Sequence, residues 1–521
     1  MSTLSVLIDF VVLGIFLYIF KAYFAKLKSS SSNPTGLPYP PGPKPLPLVG
    51  NLFDVPKGES WKTYKAWSQQ YGELVHFTVF GQHFLVVNSI RVAIDLLEKR
   101  SKKYSDRPNI PMINLMGWDW NIAFIPYGDA WRQRRREFHQ EFRSDKTVQR
   151  HAIIMKKVYQ FVNKLLIRPD DFGDHIRHYP GSISMSIAYG YEIASHNDHF
   201  VNMAEQSVEM LSGSTFPGAA AVNALPILQY LPDWLPGMGF KHYARRCKKI
   251  TTEMKNAPFQ FAKDQMQSGF PTTCVATELI SRLSDPHDKM SIEIEEAIKD
   301  VCAIAYAAGA DTTGSAIQTG FLAMVLHPEV RRKAQSEIDA VIGNARLPSF
   351  DDRKLLPYVN AFVWEVLRWH PVTPLSVARA VYENDIYEDS FIPKGATLLV
   401  NTWGIHYDEE TYPEPNIFKP ERFLEADGTL SDKYPIAVFG TGRRMCPGRH
   451  VADATIWAAM ALILAVFDVE KVKDKDGNDI DVPEVYNDGL ISHPQPFLCS
   501  VTPRSEQAKS LIREICSYVQ N

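Results

Sequence analysis

The sequence predicts a mainly α-helical protein with a small β region, preceded by an N-terminal transmembrane helix. Three observations support this: an apolar run at residues 4–20, several long amphipathic runs after residue 50, and two short β-type runs between residues 74 and 87. Of the 521 residues, 45% are hydrophobic, which is enough for a large core. The formal net charge of −3 gives no general attraction for nucleic acid, and no nucleic-acid partner is expected.

The apolar run at residues 4–20 has the length and composition of a membrane span. As a helix it would measure ~25 Å, close to the ~27 Å core of the endoplasmic reticulum bilayer. Its apolar side chains favour insertion by about 4–8 kcal/mol, whereas Asp9 opposes it by at most ~3 kcal/mol. Lys21, Lys26 and Lys28 follow the run and no cation precedes it, so the body is expected in the cytoplasm. A buried core helix is the alternative.

The sequence divides the chain into three predicted segments. Residues 1–28 are predicted to be the membrane anchor with its basic flank, residues 29–47 a Ser/Pro-rich hinge, and residues 48–521 one catalytic body. Seven prolines between Pro34 and Pro47 exclude helix and strand, and favour an extended spacer. The hinge is either an ordinary linker or a stalk that orients the body on the membrane.

The body should begin with a hairpin and contain one very long helix. Residues 74–80 and 84–87 are two β-type runs that flank Gly81-Gln82-His83, which predicts a hairpin. The long helix is predicted to start with Ser291 as N-cap and to stop at Leu326, before His327-Pro328. About 35 residues would give a helix of ~50 Å.

The middle of this long helix is apolar on all faces and is then interrupted by Asp311-Thr312-Thr313. A buried acid in a buried helix requires a reason. Ala308 and Gly309 would let a flat cofactor lie close to the backbone, and Asp311 with Thr312 could transfer protons. The alternative is a helix distortion whose polar groups are satisfied internally.

Residues 439–448 form a glycine-rich, doubly basic loop around Cys446, and an apolar helix is predicted from Val451. A helix N-terminus and neighbouring arginines both favour the thiolate form of a cysteine. Such a thiolate can bind the iron of a porphyrin, and the planar guanidinium of Arg444 matches a propionate carboxylate.

Other readings of the loop remain open at this point. Cys446 could be an inert buried thiol, or with His450 part of a zinc site, although no second ligand pair lies nearby at zinc spacing. Gly440-x-Gly442 could begin a dinucleotide loop, but Met445 occupies the third glycine position. The six cysteines are scattered without a CxxC pair and are expected to be free thiols in a reducing compartment.

The loop resembles the haem-binding loop of the cytochrome P-450 family, Phe-x-x-Gly-x-Arg-x-Cys-x-Gly. Phe439, Gly442, Arg444, Cys446 and Gly448 all match. The resemblance implies a triangular helical prism that binds haem b, with the iron held by the Cys446 thiolate. It also implies that Phe439, Arg444 and Gly448 contact the haem.

The interrupted helix supplies the second motif. Residues 308–313 resemble the family's oxygen-activation motif, which implies a haem contact for Ala308 and catalytic roles for Asp311 and Thr312. Further along, Glu365-x-x-Arg368 and the Pro-Glu-Arg-Phe segment containing Arg422 resemble the two motifs that lock the fold around the haem loop.

Basic residues complete the resemblance. Trp131 and Arg135 match the family's Trp-x-x-x-Arg, and Arg379 occupies a position where the family usually has His or Arg; all three are implied to bind the haem propionates. Arg132 and Arg136 would face outward, where they suit an acidic electron donor.

The resemblance predicts a monooxygenase of the fungal microsomal type, in secondary metabolism, on the cytoplasmic face of the endoplasmic reticulum membrane. Its electron donor would be NADPH-cytochrome P-450 reductase, with cytochrome b5 as a further candidate.

The substrate is expected to be apolar, a terpenoid first and an aromatic, indolic or xenobiotic compound second, because the candidate pocket segments are mostly apolar. These segments are residues 110–116, 212–221, 372–377 and 489–493, in which Asn114, Ser376 and His493 are possible polar anchors. An O2-independent haem-thiolate isomerase or dehydratase and a non-catalytic haem sensor are the alternatives.

Overall fold

A computed structural model describes residues 33–194, 198–214, 217–269, 272–283 and 289–520. Contacts within the chain divide it into two units: a strand-rich unit, Met1–Pro108 with Ala378–Asn401, and a helical unit, Asn109–Val377 with Thr402–Asn521. The predicted transmembrane helix and the whole 1–28 anchor lie outside the described residues, so both stay predictions.

The strand-rich unit is built on one four-stranded sheet of order β1-β2-β6-β3 and a separate β4-β5 hairpin. Its helices are α1 (Ser60–Tyr71) and α2 (Ile90–Ile94), the latter followed by a π-helical turn (Asp95–Lys99). Its strands are β1 (Leu74–Val79), β2 (Gln82–Val87), β3 (Arg379–Ala380), β4 (Asp385–Tyr387), β5 (Ser390–Ile392) and β6 (Thr397–Val400).

The predicted hairpin is present as the antiparallel pair β1-β2, with Leu74 opposite Val87. Its turn is tighter than expected and consists of Phe80 and Gly81 alone. Both residues have positive φ, 47° and 75°, which is the geometry of a two-residue type I′ turn. The sequence pattern placed the turn one residue too late, because a phenylalanine is not a usual residue for a left-handed conformation.

The proline-rich segment contains neither helix nor strand between residues 33 and 45, as predicted. It lies against the strand-rich unit: the carbonyl of Pro38 accepts a hydrogen bond from Phe391 N at 2.8 Å, and that of Pro41 from His76 N at 2.9 Å. A Cβ at Gly42 would come within 1.8 Å of the His76 carbonyl oxygen, so only glycine allows this approach. At least residues 38–42 are therefore part of the folded body.

The helical unit holds the main core. Its helices are α3 (Pro111–Leu115), α4 (Asp129–Phe142), α5 (Ser144–Gln149), α6 (His151–Ile167), α7 (Phe172–Tyr189), α8 (His199–Ser212), α9 (Pro217–Ala224), α10 (Gly239–Gln267), α11 (Val275–Ile280), α12 (Lys289–Leu326), α13 (Pro328–Val341), α14 (Pro357–Trp369), α15 (Thr402–His406), α16 (Arg449–Val466) and α17 (Glu506–Gln520). Strands β7 (Phe467–Glu470) and β8 (Ser500–Pro503) form an antiparallel pair.

The long predicted helix is α12, with 38 residues and a length of ~57 Å. It ends at Leu326 as predicted, but it begins at Lys289, so Ser291 lies inside the helix and is not its N-cap. Helix α7 packs closely against its middle. A Cβ on Gly309 would lie 2.7 Å from Ser184 Oγ and 3.7 Å from Ser184 Cβ, so a side chain there would require the Ser184 hydroxyl to rotate away.

Helix α16 follows the Cys446 loop and runs through the core. Nearly all of its residues from Ala454 to Val466 are buried. Within the described ranges it is the one helix that is long and apolar enough to cross a membrane, and 67% of it is buried inside the protein. Its length and composition are accounted for by its place in the core.

Candidate functional site: a thiolate loop facing the long helix

The loop around Cys446 is closed by its own backbone. The amide of Cys446 donates a hydrogen bond to the Phe439 carbonyl at 2.8 Å, across a stretch in which Gly440 has a φ of 70°. Helix α16 then begins at Arg449, immediately after Gly448. The thiol therefore lies at a helix N-terminus as predicted, with the helix starting two residues earlier than the hydrophobic pattern indicated.

The thiol is surrounded by protein and yet partly accessible. Burial raises the pKa of Cys446, and it outweighs the opposing effects of the Gly448 amide and the Arg135 and Arg449 guanidinium groups. The side chain nevertheless retains intermediate exposure. These two facts agree if the thiol faces an internal space rather than bulk water. The sequence predicted that the Cys446 thiol would ionise easily, and without a metal ion it does not. A metal ion that the thiol coordinates would deprotonate it.

Arg135 is an unpaired cation beside this space. Burial lowers the pKa of its guanidinium, and Arg449 lowers it further, while Cys446 is the neighbour that opposes the shift. In the described parts of the chain no hydrogen bond or carboxylate pair is found for this guanidinium. A partly buried charge without a partner is unfavourable, so the position suits a cofactor that brings its own carboxylate.

Trp131 and Arg444, each predicted separately to contact a haem propionate, lie against one another, and Arg444 also has backbone partners. Its guanidinium lies 4.5 Å from the Trp131 ring centroid. Nη1 donates to the Ile122 carbonyl at 3.0 Å and Nη2 to the Ile125 carbonyl at 2.9 Å. These bonds fix the segment before α4 to the Cys446 loop, and a propionate contact of Arg444 stays a prediction.

The middle of helix α12 is not wholly buried, although the helix is continuous there. Residues 301–304 and 313–317 are buried, whereas Ala308 is exposed and residues 309–312 are partly exposed. Ala308 and Thr312, at i and i+4, lie on the same face. This interruption is what a flat cofactor lying against the helix requires.

The hydroxyl of Thr312 is already used as a donor. Oγ1 donates to the Ala308 carbonyl at 2.7 Å, an i−4 bond that leaves the oxygen lone pairs free to accept. Asp311 lies on the neighbouring face of the helix, where its Oδ1 is 3.1 Å from His493 Nε2. The two predicted catalytic residues therefore serve different sides of α12. The sequence had suggested His493 only as a substrate anchor and missed this contact.

The predicted contacts among Glu365, Arg368 and Arg422, here called the Glu365 triad, are formed. Arg368 donates to both carboxylate oxygens of Glu365, from Nε at 2.7 Å and from Nη2 at 2.8 Å, and both side chains are fully buried. Arg422 Nε approaches the same carboxylate at 3.2 Å. The triad joins α14 to the segment that precedes the Cys446 loop.

Two predictions concern residues outside this cluster. Arg379 lies on β3 in the strand-rich unit, where burial lowers its pKa to about 10. Its propionate contact stays a prediction. The zinc alternative for Cys446 and His450 is not supported, because no group of three metal-binding side chains occurs among the described residues.

A recessed thiol at a helix N-terminus, a partly buried guanidinium with no carboxylate partner in the described ranges, and a long helix exposed at Ala308 suit an enzyme with a thiolate-ligated cofactor. Residues 40–501 match the family model "Cytochrome P450". Cytochrome P450 monooxygenase 208 of Postia placenta is 42% identical over 91% of this chain and 92% of its own length. The corresponding values are 39%, 95% and 97% for cytochrome P450 monooxygenase COX1 of Coprinopsis cinerea, and 38%, 96% and 92% for claR of Ampulloclitocybe clavipes.

The chain therefore belongs to the cytochrome P450 family. It is a P450 monooxygenase, and its cofactor is haem with a cysteine thiolate as iron ligand. The mostly helical architecture with a small β region agrees with this fold. The residues described above fit the cofactor, because the recessed Cys446 thiol lies at a helix N-terminus with the Arg135 guanidinium beside it.

Proposed function

We propose that this monooxygenase oxidises an apolar small metabolite with O2 and with electrons that NADPH supplies through a flavoprotein reductase. One oxygen atom enters the substrate and the other leaves as water; NADPH supplies two electrons and one proton, and a second proton is taken from solvent. The observation that carries the proposal is the exposed surface of α12 at Ala308, next to Asp311 and Thr312. Isomerases of the haem-thiolate type often lack this acid–alcohol pair.

The residues around the cofactor then have defined roles. Cys446 is the iron ligand, and the residues proposed to hold the haem are Trp131, Arg135, Ala308, Arg379, Phe439, Arg444 and Gly448. When bound, the thiolate-ligated haem supplies oxygen-activating chemistry. The Thr312 hydroxyl, whose lone pairs can accept a hydrogen bond, lies on the same face as Ala308, and Asp311 passes protons toward it from the neighbouring face of the helix.

A basic patch beside the Cys446 loop supports an acidic electron donor. Arg132 and Arg443 lie on the ring of Tyr127, each with its guanidinium carbon 5.5 Å from the centroid, and Arg443 also donates to the Tyr127 hydroxyl. Arg136 is exposed on the same helix as Arg132. Such a patch would steer an acidic protein to the side of the molecule where the thiolate lies. NADPH-cytochrome P450 reductase is the proposed donor, and cytochrome b5 is a second candidate.

The proposed location is the cytoplasmic face of the endoplasmic reticulum membrane. Support comes from the apolar run at residues 4–20 and the lysines that follow it. Removal of residues 1–28 should release the protein from microsomes and leave the haem spectrum unchanged. Loss of the haem spectrum on truncation would show instead that the run belongs to the core.

The proposed substrate is a terpenoid of secondary metabolism, with an aromatic or indolic metabolite as the second choice. The candidate pocket segments are mostly apolar, so burial of hydrocarbon surface would supply most of the binding. The relatives that match over nearly the whole chain are fungal enzymes, which supports a fungal metabolic role. Xenobiotic oxidation would use the same chemistry.

The decisive experiment is reconstitution with a purified reductase. The enzyme is supplied with NADPH, 18O2 and a panel of sesquiterpenes, diterpenes and indoles, and the products are analysed by mass spectrometry. One 18O atom per product molecule, formed only with NADPH, is the expected result. Product that forms without O2 would instead indicate an isomerase or dehydratase.

A further inference from the structure

A cavity of about 420 Å³ lies beside α12, on a face that adjoins the one carrying Ala308. Its α12 lining consists of Tyr306, Ala307, Ala310, Asp311, Gly314, Ser315 and Gln318, whereas Ala308 and Thr312 do not line it. The other walls come from the beginning of α7, from α8 and from residues 493–498. Since liquid water occupies ~30 Å³ per molecule, the cavity has room for several waters.

Ionisable side chains from four different segments meet at this cavity. Asp174 and Arg177 come from α7, Glu205 from α8, Asp311 from α12 and His493 from the segment before β8. Burial raises the pKa of Glu205, and Asp311 and Asp174 raise it further against the effect of Arg177. An apolar ligand would not need this set of groups, but a chain of hydrogen-bonded waters would.

The contact between Asp311 and His493 is the point where the cavity meets the predicted catalytic pair. Nε2 lies 3.1 Å from Oδ1, and both side chains are only partly exposed, at 26% and 31%. Among the side chains that the structure describes, His493 is the hydrogen-bond partner of Asp311. The carboxylate is therefore held from the cavity side rather than by a neighbour on its own helix.

His493 is itself fixed in place. Its amide donates to Asn487 Oδ1 at 2.8 Å, and its carbonyl accepts from Asn487 N at 2.9 Å. The preceding residue, Ser492, donates its amide to the Val372 carbonyl at 2.8 Å and its side chain contacts His370 Nε2 at 2.8 Å. The imidazole thus approaches Asp311 from a segment that is anchored on both sides.

We propose that His493 is a positioning residue: it holds the Asp311 carboxylate at the wall of this cavity, where water reloads Asp311 with the protons that it passes toward Thr312. The inference rests on the proposed monooxygenase function and adds a named proton entrance to it. Each turnover consumes two protons, and every proton that leaves Asp311 is replaced by one from cavity water, so the carboxyl group is unchanged overall.

The test uses the full-length holoenzyme with reductase and compares His493→Ala, His493→Gln and the control His199→Ala. His199 pairs with Glu253 at the same 3.1 Å distance, but its side chain is 69% exposed on α8 and does not line the cavity. Loss of a hydrogen bond to a charged group should lower product per NADPH about tenfold in His493→Ala. The missing electrons should appear as hydrogen peroxide, and the H2O/D2O rate ratio should rise.

His493→Gln keeps a side-chain donor and should return product per NADPH to within about threefold of the wild type. In the Asp311→Asn background, the further change His493→Ala should have no additional effect, because it acts through Asp311. Additive losses, an unrescued His493→Gln, or weaker substrate binding with unchanged coupling would each overturn the inference. Failure of the proposed function would appear differently, as wild-type enzyme that forms no oxygenated product.

Discussion

Replacement of Glu365 by glutamine should destabilise the helical unit more than any surface charge change. The carboxylate is fully buried and accepts two bonds from Arg368, at 2.7 and 2.8 Å. It also accepts the Lys419 amide at 2.8 Å and lies 3.2 Å from Arg422 Nε. All four contacts need an acceptor, and a glutamine side chain places an NH2 group against at least one of these donors.

The magnitude follows from the charge that remains. Arg368 is as buried as Glu365 and has one further bond, to the His406 carbonyl at 3.1 Å, which cannot neutralise it. Breaking a buried ion pair by removing one partner costs about 3–5 kcal/mol. We therefore expect the free energy of unfolding to fall by about 3–5 kcal/mol in Glu365→Gln, with partial loss of haem during purification.

The assay is urea unfolding at fixed haem concentration, followed by far-ultraviolet circular dichroism and by haem absorbance. Glu253→Gln is the matched control, because it removes the exposed partner of His199 and should cost less than about 1 kcal/mol. A loss below about 1 kcal/mol in Glu365→Gln, with an unchanged denaturant dependence, would refute the reasoning that this carboxylate compensates buried cations.

Three further changes test the site directly. Cys446→Ser should abolish the red-shifted Soret band of the reduced carbon monoxide complex, while Cys499→Ser should keep it; a retained band in Cys446→Ser would place the ligand elsewhere. Thr312→Ala should keep the haem spectrum but lower product formation by roughly 10²-fold as NADPH electrons go to peroxide; Thr312→Ser should recover most of the coupling, and normal coupling in Thr312→Ala would remove this hydroxyl from the mechanism. Arg136→Glu should slow reduction by the reductase about tenfold at low ionic strength, and the difference should shrink as salt is added; equal loss of peroxide-driven turnover would mean that Arg136 supports folding or haem binding instead.

The features that the sequence predicted well are those whose residues are close together in the chain. The closed Cys446 loop, the end of α12 at Leu326 and the Glu365–Arg368 pair all depend on spacings of ten residues or fewer. The contact between Trp131 and Arg444 joins residues 313 positions apart and was not predicted; the resemblance implied only that each contacts a propionate.

The features that the sequence did not predict depend on partners far along the chain. His493 and Asp311 are 182 positions apart, and no local pattern indicates that they meet. The predicted start of α12 was also wrong. Ser291 has the side chain of a good N-cap, but it is buried within the helix. The raised pKa of Cys446 depends on how much protein surrounds the thiol, which composition alone cannot give.

The contact between Gly309 and Ser184 has a consequence for how this enzyme could acquire new substrates. A methyl group at position 309 would lie 2.7 Å from the Ser184 hydroxyl, and rotation of that side chain would make room for it. A larger side chain would instead have to displace α12 or α7, because closely packed helices leave little free space. Libraries that aim at new regioselectivity should therefore keep Gly309 as glycine or alanine and vary the candidate pocket segments.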